Sequence, residues 1–292
     1  MIFRRYVYMK QAVFLIQTID RKGLLSQISG FFFKHGLNIL HCEQYSDELD
    51  GKYFMRVRID VSNMEMTRRE LYDDFKKYAA VMEVERFEVH YLDEKQRMAI
   101  MVSKTSHCLY DLLMHQQDGD LNCEIPLIIS NHPDLEHVAD QFRIPYYSIP
   151  IINGDKAAQE AKVIELLERH LIDLVVMARY MQVLSDSFCQ KFENRIINIH
   201  HAFLPAFQGG NPYHRAWERG VKMIGATAHY ATPDLDEGPI IEQDVERVSH
   251  RDTPDSLRQL GKDIERRVLT RAVKAHLDHR VIISGRRTIV MS

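Results

Sequence analysis

Asn198 and His200 stand two residues apart at the end of a short apolar run that begins Ile196-Ile197. On a strand that spacing puts both side chains on one face. An amide beside an imidazole, which can also change its protonation state, is suited to stabilising an oxygen that becomes negative. Taken alone, the pair equally suits a strand end whose polar residues cap the next loop. The residues that follow add to it: Ile224–Tyr230 reads as another strand carrying His229, and Asp234, Asp236 and Gly238 occupy a loop before the apolar strand that begins Pro239-Ile240-Ile241. A carboxylate on that loop can reach an imidazole at a neighbouring strand end, so Asn198, His200 and Asp236 are expected to converge. His229 either orients Asp236 or is a buried structural histidine. His201 would face the other side of the strand and is read as structural. The His200-His201 pair has no third ligand at a metal-binding spacing, so no metal is expected.

These groups need a scaffold, and the composition bounds it. The chain has 292 residues, 45% hydrophobic and 27% charged, enough for two cores. Its 38 Lys and Arg against 41 Asp and Glu give a net charge of −3, which points away from nucleic acid. No apolar run approaches the roughly 20 residues that span a bilayer, so no membrane association is expected. Cys42, Cys108, Cys123 and Cys189 are scattered without a disulfide or zinc pattern, which suits a reduced, cytoplasmic setting. The opening MIFRRYVYMK lacks the apolar core and cleavage site of a signal peptide.

In chain order, Ala12–Thr18 reads as a strand, and Asp20-Arg21-Lys22-Gly23-Leu24 turns into a helix whose Leu24, Leu25, Ile28, Phe31 and Phe32 recur at helical spacing until Gly36. Asn38–Gln44 and Tyr53–Val61 read as strands around an Asp50-Gly51 turn. A helix over Arg68–Tyr78 and a strand near Glu85–Tyr91 complete a βαββαβ order, a ferredoxin-like α+β module. The charged Asp93–Arg97 segment puts a boundary near residue 95, giving expected domains 1–95 and 96–292. Beyond it, apolar runs alternate with helical patterns as a mostly parallel, Rossmann-like α/β sheet requires. Asp173–Ala178 is nearly all apolar, like a strand covered on both faces. Ligands of such sheets lie beyond the carboxyl ends of the strands, where Asn198 and His200 stand. Val245–Val248, a helix from about Pro254 to His279 and a hairpin around Gly285-Arg286-Arg287 close the chain.

From about Arg97 onward, NIHHAFLPAF, HRAWERGVK, GATAHY and DEGPIIEQ resemble the active-site half of the folate-dependent formyltransferase fold. The resemblance implies that Asn198, His200 and Asp236 surround the formyl group on N10 of tetrahydrofolate. It also implies that the loop after the central strand, with Met177, Met181, Gln182, Val183 and Leu184, seats the pterin ring. Gln182 departs from the pattern, because transferases of the family commonly carry a basic residue there. Family members with a phosphorylated acceptor cradle its phosphate on a Gly-rich turn after the first strand; here that loop is Ser103–Cys108, without glycine. SKTSHCLYDLL and ISNHPDL are instead similar to the deformylase branch, which hydrolyses 10-formyltetrahydrofolate to formate and tetrahydrofolate without a permanently bound cofactor. Water would then attack the formyl carbon, Asn198 and His200 would meet the oxyanion, and Asp236 would polarise His200 and take up the water's proton. A formyltransferase with a non-phosphorylated amine acceptor keeps the same three residues and stays open, as does a regulatory binding protein.

The first module resembles the ACT domain over about Val13 to Leu92, on the DRKGLL turn and HGLNIL. That implies pairing of two or more copies and an amino-acid effector held near Asp20, Gly23, Leu24 and Asn38, where backbone N–H groups can take a carboxylate. The open alternative is a module that only dimerises.

Overall fold

The computed structural model describes residues 10–205 and 212–292. Ala206-Phe207 of the NIHHAFLPAF motif and most of the opening decapeptide lie outside them. The chain divides into two compact units.

The first unit runs as β1 (Gln11–Ile19), α1 (Leu24–Lys34), β2 (Asn38–Asp47), β3 (Lys52–Asp60), α2 (Arg68–Val81) and β4 (Arg86–Tyr91). Its strands form an antiparallel sheet in the order β2-β3-β1-β4. Alternation sends Phe14 and Ile16 of β1 toward the helices, where Phe14 meets Phe32 and Phe75 edge-on at ring distances of 5.0 and 4.8 Å. Each such buried ring contributes about 1.5–3 kcal/mol. Thr67 and Glu70 cap α2 reciprocally, which satisfies two otherwise orphaned N–H groups. Gly51, at φ 61°, makes the tight β2–β3 turn.

The second unit continues with β5 (Gln96–Val102), α3 (His107–Gln117), β6 (Cys123–Ser130), α4 (Glu136–Phe142), β7 (Tyr146–Ser148), α5 (Lys156–Arg169), β8 (Leu174–Met177), α6 (Asp186–Lys191) and β9 (Ile196–His200). It then adds α7 (Pro212–Glu218), β10 (Met223–Tyr230), β11 (Ile240–Arg247) and α8 (Pro254–Leu277). The sheet order is β11-β10-β9-β8-β5-β6-β7. The strands from β5 to β9 run parallel, whereas β10 is antiparallel to both β9 and β11. β8 is wholly buried, as a strand covered on both faces must be. The expected separate strand at Val245–Val248 is instead the continuation of β11, because its pairing with β10 runs on from Ile240 to Arg247 through a single irregularity at Ile241. Thr253 caps α8 with Pro254 following it in the first turn, so the sharp start follows from local chemistry.

The chain closes with β12 (Val281–Ser284) and β13 (Arg287–Val290). Sequence analysis expected everything after residue 95 in the second domain. By compactness, however, His279–Ile282 and Ile289–Ser292 belong to the first unit. The reason is packing: Ile282 and Met291 cover Val13, Leu15 and Phe54, the sheet face that α1 and α2 leave open. That is why β1 is buried on both faces rather than alternately.

Candidate active site

The antiparallel pairing of β9 and β10 sets Asn198 opposite His229 and His200 opposite Thr227. Cross-strand partners share a face, and Asn198 Nδ2 lies 3.2 Å from His229 Nε2. His229 Nδ1 is 3.0 Å from the Tyr230 carbonyl, so it carries a proton there, and its Nε2 faces both the Asn198 amide and the Asp236 carboxylate. Asp236 reaches in from the β10–β11 loop. Its Oδ2 lies 3.2 Å from His200 Nδ1 and its Oδ1 3.6 Å from His229 Nε2. Hydrogen bonds from His200 and His229 hold the Asp236 carboxyl far below the usual range, against the opposing effect of burial.

The loop that presents Asp236 is built for that purpose. Tyr230 N–H donates to the Pro239 carbonyl at 2.9 Å, folding the loop back on β10. A Cβ at Gly238 would stand 1.7 Å from the Tyr230 carbonyl oxygen, so only glycine permits this approach. Asp236 itself sits at φ 58°, a left-handed conformation that non-glycine residues rarely adopt. Asp234, in the same loop, is exposed and gives its carbonyl to Thr232 Oγ1.

The loop after β8 forms the facing wall. Ser103, first after β5, donates to Asn131 Oδ1 and accepts from Met181 N–H, at 2.7 and 3.0 Å. The α5 side chains brace the same loop from below: Gln159 donates to the Tyr180 hydroxyl and Glu160 accepts from Ser185 N–H. Met177 and Leu184 are thereby buried, while Met181 and Val183 stand 57% and 52% exposed as apolar walls. Met177, Met181, Gln182, Val183, Leu184, Asn198, His200, His229 and Asp236 all line one cavity of about 310 Å³.

His201 departs from expectation. β9 ends at His200, so strand alternation no longer governs the next residue. The His201 ring stacks on that of His200, with centroids 4.9 Å apart and planes at 17°, and it lines the same cavity. Burial, then Arg179 and His200, push its pKa down to about 4, so it is neutral at pH 7.

Sequence reasoning missed Arg179, which also lines the cavity, and the buried Glu265 behind it. Glu265 on α8 accepts from His107 Nε2 and the Tyr213 hydroxyl, both at 2.7 Å, and lies 3.5 Å from Arg179 Nε. Burial works to raise its pKa, but His107, Arg179 and Tyr213 outweigh that and hold it lowered. Gly261, one turn earlier, lets the Tyr213 hydroxyl come within 2.1 Å of where a Cβ would be. A glycine and an acid one turn apart within the apolar stripe of α8 were the available signal. His107, Cys108 and Glu265 offer ligand atoms within 4.8 Å of one another, a geometry open to a metal. Arg179 already supplies the cation, and burial pushes the Cys108 thiol well up, so the set is better suited to an ion network.

The second unit's fold and this cavity define a formyl transferase scaffold, and the formyl transferase family model matches residues 96–273, with the ACT domain model over residues 12–73. A formyltetrahydrofolate deformylase of Synechocystis sp. is 50% identical over 281 residues, covering 96% of this chain and 98% of that protein. One of Bacillus subtilis is 45% identical, covering 95% and 93%. The crystal structure of a formyltetrahydrofolate deformylase from Pseudomonas syringae pv. tomato superposes with a TM-score of 0.95 at 40% identity, over 99% of this chain and 96% of that one. The chain belongs to the formyltetrahydrofolate deformylase family.

Proposed function

We propose that this protein hydrolyses 10-formyltetrahydrofolate to formate and tetrahydrofolate, using Asn198, His200 and Asp236, in a reduced cytoplasmic compartment where it supplies formate and balances one-carbon pools. One observation carries the reading: the apolar loop suited to a pterin ring and the Asn198–His200–Asp236 group line the same cavity. Water forms the new C–O bond at the formyl carbon. The oxyanion receives an Asn198 N–H and a proton-bearing His200 Nε2, which is buried and has no protein partner among the described residues. A donor of this kind typically lowers the barrier by about 3–4 kcal/mol. Because its proton affinity is low, Asp236 acts first as the fixed anion that orients and polarises His200. It takes the water's proton as attack makes that water acidic. The C–N10 bond then breaks, N10 gains a proton, and formate leaves as the anion with release of one proton.

Water as acceptor is supported by the glycine-free Ser103–Cys108 loop. His107, which ends that loop, is engaged with Glu265 at 2.7 Å. Incubation with 10-formyltetrahydrofolate alone should yield formate and tetrahydrofolate in equal amounts, and glycinamide ribonucleotide should not divert the formyl group. Formate release that stays negligible until an amine is supplied would defeat the hydrolase reading.

The first unit is proposed to take a free amino acid between two copies of the chain. Asp20 and Gly23 lie beyond the end of β1, whereas Asn38 pairs with Asp60 opposite Gln11 at its start. Nine residues of strand separate those ends by roughly 27 Å, so a small effector cannot touch both within one copy. Leu24 is 1% exposed and gives its side chain to the core, leaving only its backbone for an effector.

A further inference from the structure

Among the described residues, three buried side-chain nitrogens without a hydrogen-bond partner belong to residues lining one cavity: Arg179 Nε, His200 Nε2 and His201 Nε2. A buried donor left unpaired is a standing cost, and natural proteins keep few of them. Three around a single cavity describe a wall prepared for an oxygen-rich occupant. The proposed hydrolysis uses only His200 Nε2, for the formyl oxygen. Arg179 and His201 are left over, with His201 stacked directly on the reacting His200.

Resting on the hydrolase reading, we propose that Arg179 and His201 form a subsite beside His200 that holds the formate anion after the C–N10 bond breaks. Formate is the smallest carboxylate, it is formed at His200, and it carries two acceptor oxygens and one negative charge. Arg179 supplies the matching cation. Glu265 stands at an ion-pair distance, 3.5 Å, but outside hydrogen-bond geometry, so it balances the guanidinium without consuming the Nε–H. The left-handed backbone at Arg179, φ 65°, is a cost that surrounding structure sustains, and such costs gather at ligand sites. Ser103 fixes the segment through Met181 N–H. A neutral His201 adds a dipolar donor without adding a further positive charge. The subsite accounts for product handling: formate steps from the reaction centre onto Arg179 and His201, and its retention opposes binding of the next formyl group.

The test is inhibition by sodium formate, with sodium chloride at equal ionic strength as the screening control, in wild type, Arg179→Met and His201→Phe. Arg179→Met keeps the stem without the charge, and His201→Phe keeps a ring to stack on His200 without nitrogens. Formate should raise the apparent KM of wild type, and its inhibition constant should rise at least tenfold in each variant relative to that variant's own KM. Arg179→Lys should restore part of the inhibition. Broadening of the ¹³C-formate resonance by resting wild-type protein, lost in both variants, reads the subsite without turnover. It therefore separates failure of this proposal from failure of the hydrolase reading, which shows as no formate from 10-formyltetrahydrofolate. Formate inhibition and broadening no greater than with chloride, or unchanged in both variants, overturns the subsite.

Discussion

Asp236 receives both histidines, and its ionisation is what the cavity is built around. Hydrogen bonds from His200 and His229 lower its pKa, so it stays ionised throughout the neutral range and an acid limb in the rate profile belongs to another group. Asp236→Asn, which keeps size and removes the charge, should lower kcat by about 10²–10⁴-fold while tetrahydrofolate still binds. Steady-state kinetics alongside fluorescence titration checks this, and undiminished turnover would remove Asp236 from the chemistry. The stability consequence has a definite sign. A carboxyl whose folded pKa is depressed stabilises the fold above its unfolded pKa of about 4 and loses that contribution as pH falls toward the folded value. The Tm gap between wild type and Asp236→Asn should therefore be widest near neutrality and shrink below about pH 4.

At the scale of elements, the β10–β11 loop depends on a backbone approach that one atom would block. Gly238→Ala adds a Cβ 1.7 Å from the Tyr230 carbonyl oxygen, and backbone rather than a flexible side chain must yield. Overpacking of that kind costs about 1–3 kcal/mol, and Asp236 moves with the loop. The expected outcome is a lower Tm together with a kcat defect approaching that of Asp236→Asn. The loop after β8 is braced separately, by Ser103, Gln159 and Glu160, so affinity for tetrahydrofolate should change much less. Equal losses of kcat and folate affinity would mean that the two walls are not independent.

For the whole molecule, Asn38 stands at the opposite end of β1 from Asp20 and Gly23, so the proposed effector response would be a property of paired copies. An amino acid that changes the rate of the full chain should lose its effect with Asn38→Ala, and also on dilution that dissociates copies, because a ligand shifts an equilibrium only by its differential affinity for the two states. Rate measurements across the common amino acids, combined with sedimentation, decide it. No response to any of them leaves the unit as an association module. The closing residues matter here too, since Ile282 and Met291 seal the β1 face that carries Val13 and Leu15.

Local rules made much of this chain legible. Period-two and helical spacing marked βαββαβ followed by alternating strands and helices, and Asn198 and His200 needed only their separation of two to share a face. His229 and Asp236 were legible as candidates, but pairing them required the β9–β10 register and the folded-back loop, which are nonlocal. The left-handed backbone on which Asp236 sits is likewise not visible in composition. Glu265 lies more than 80 residues from Arg179 and more than 150 from His107 in sequence, and only the packing of α8 brings a buried carboxylate to both. His201 was misread because alternation was extended past the strand's last residue, and the packing of the closing strands was not legible because burial on the second face of β1 is decided by what packs there. Periodicity records which side of an element is covered, whereas the tertiary structure alone decides by what, since that depends on residues far away along the chain.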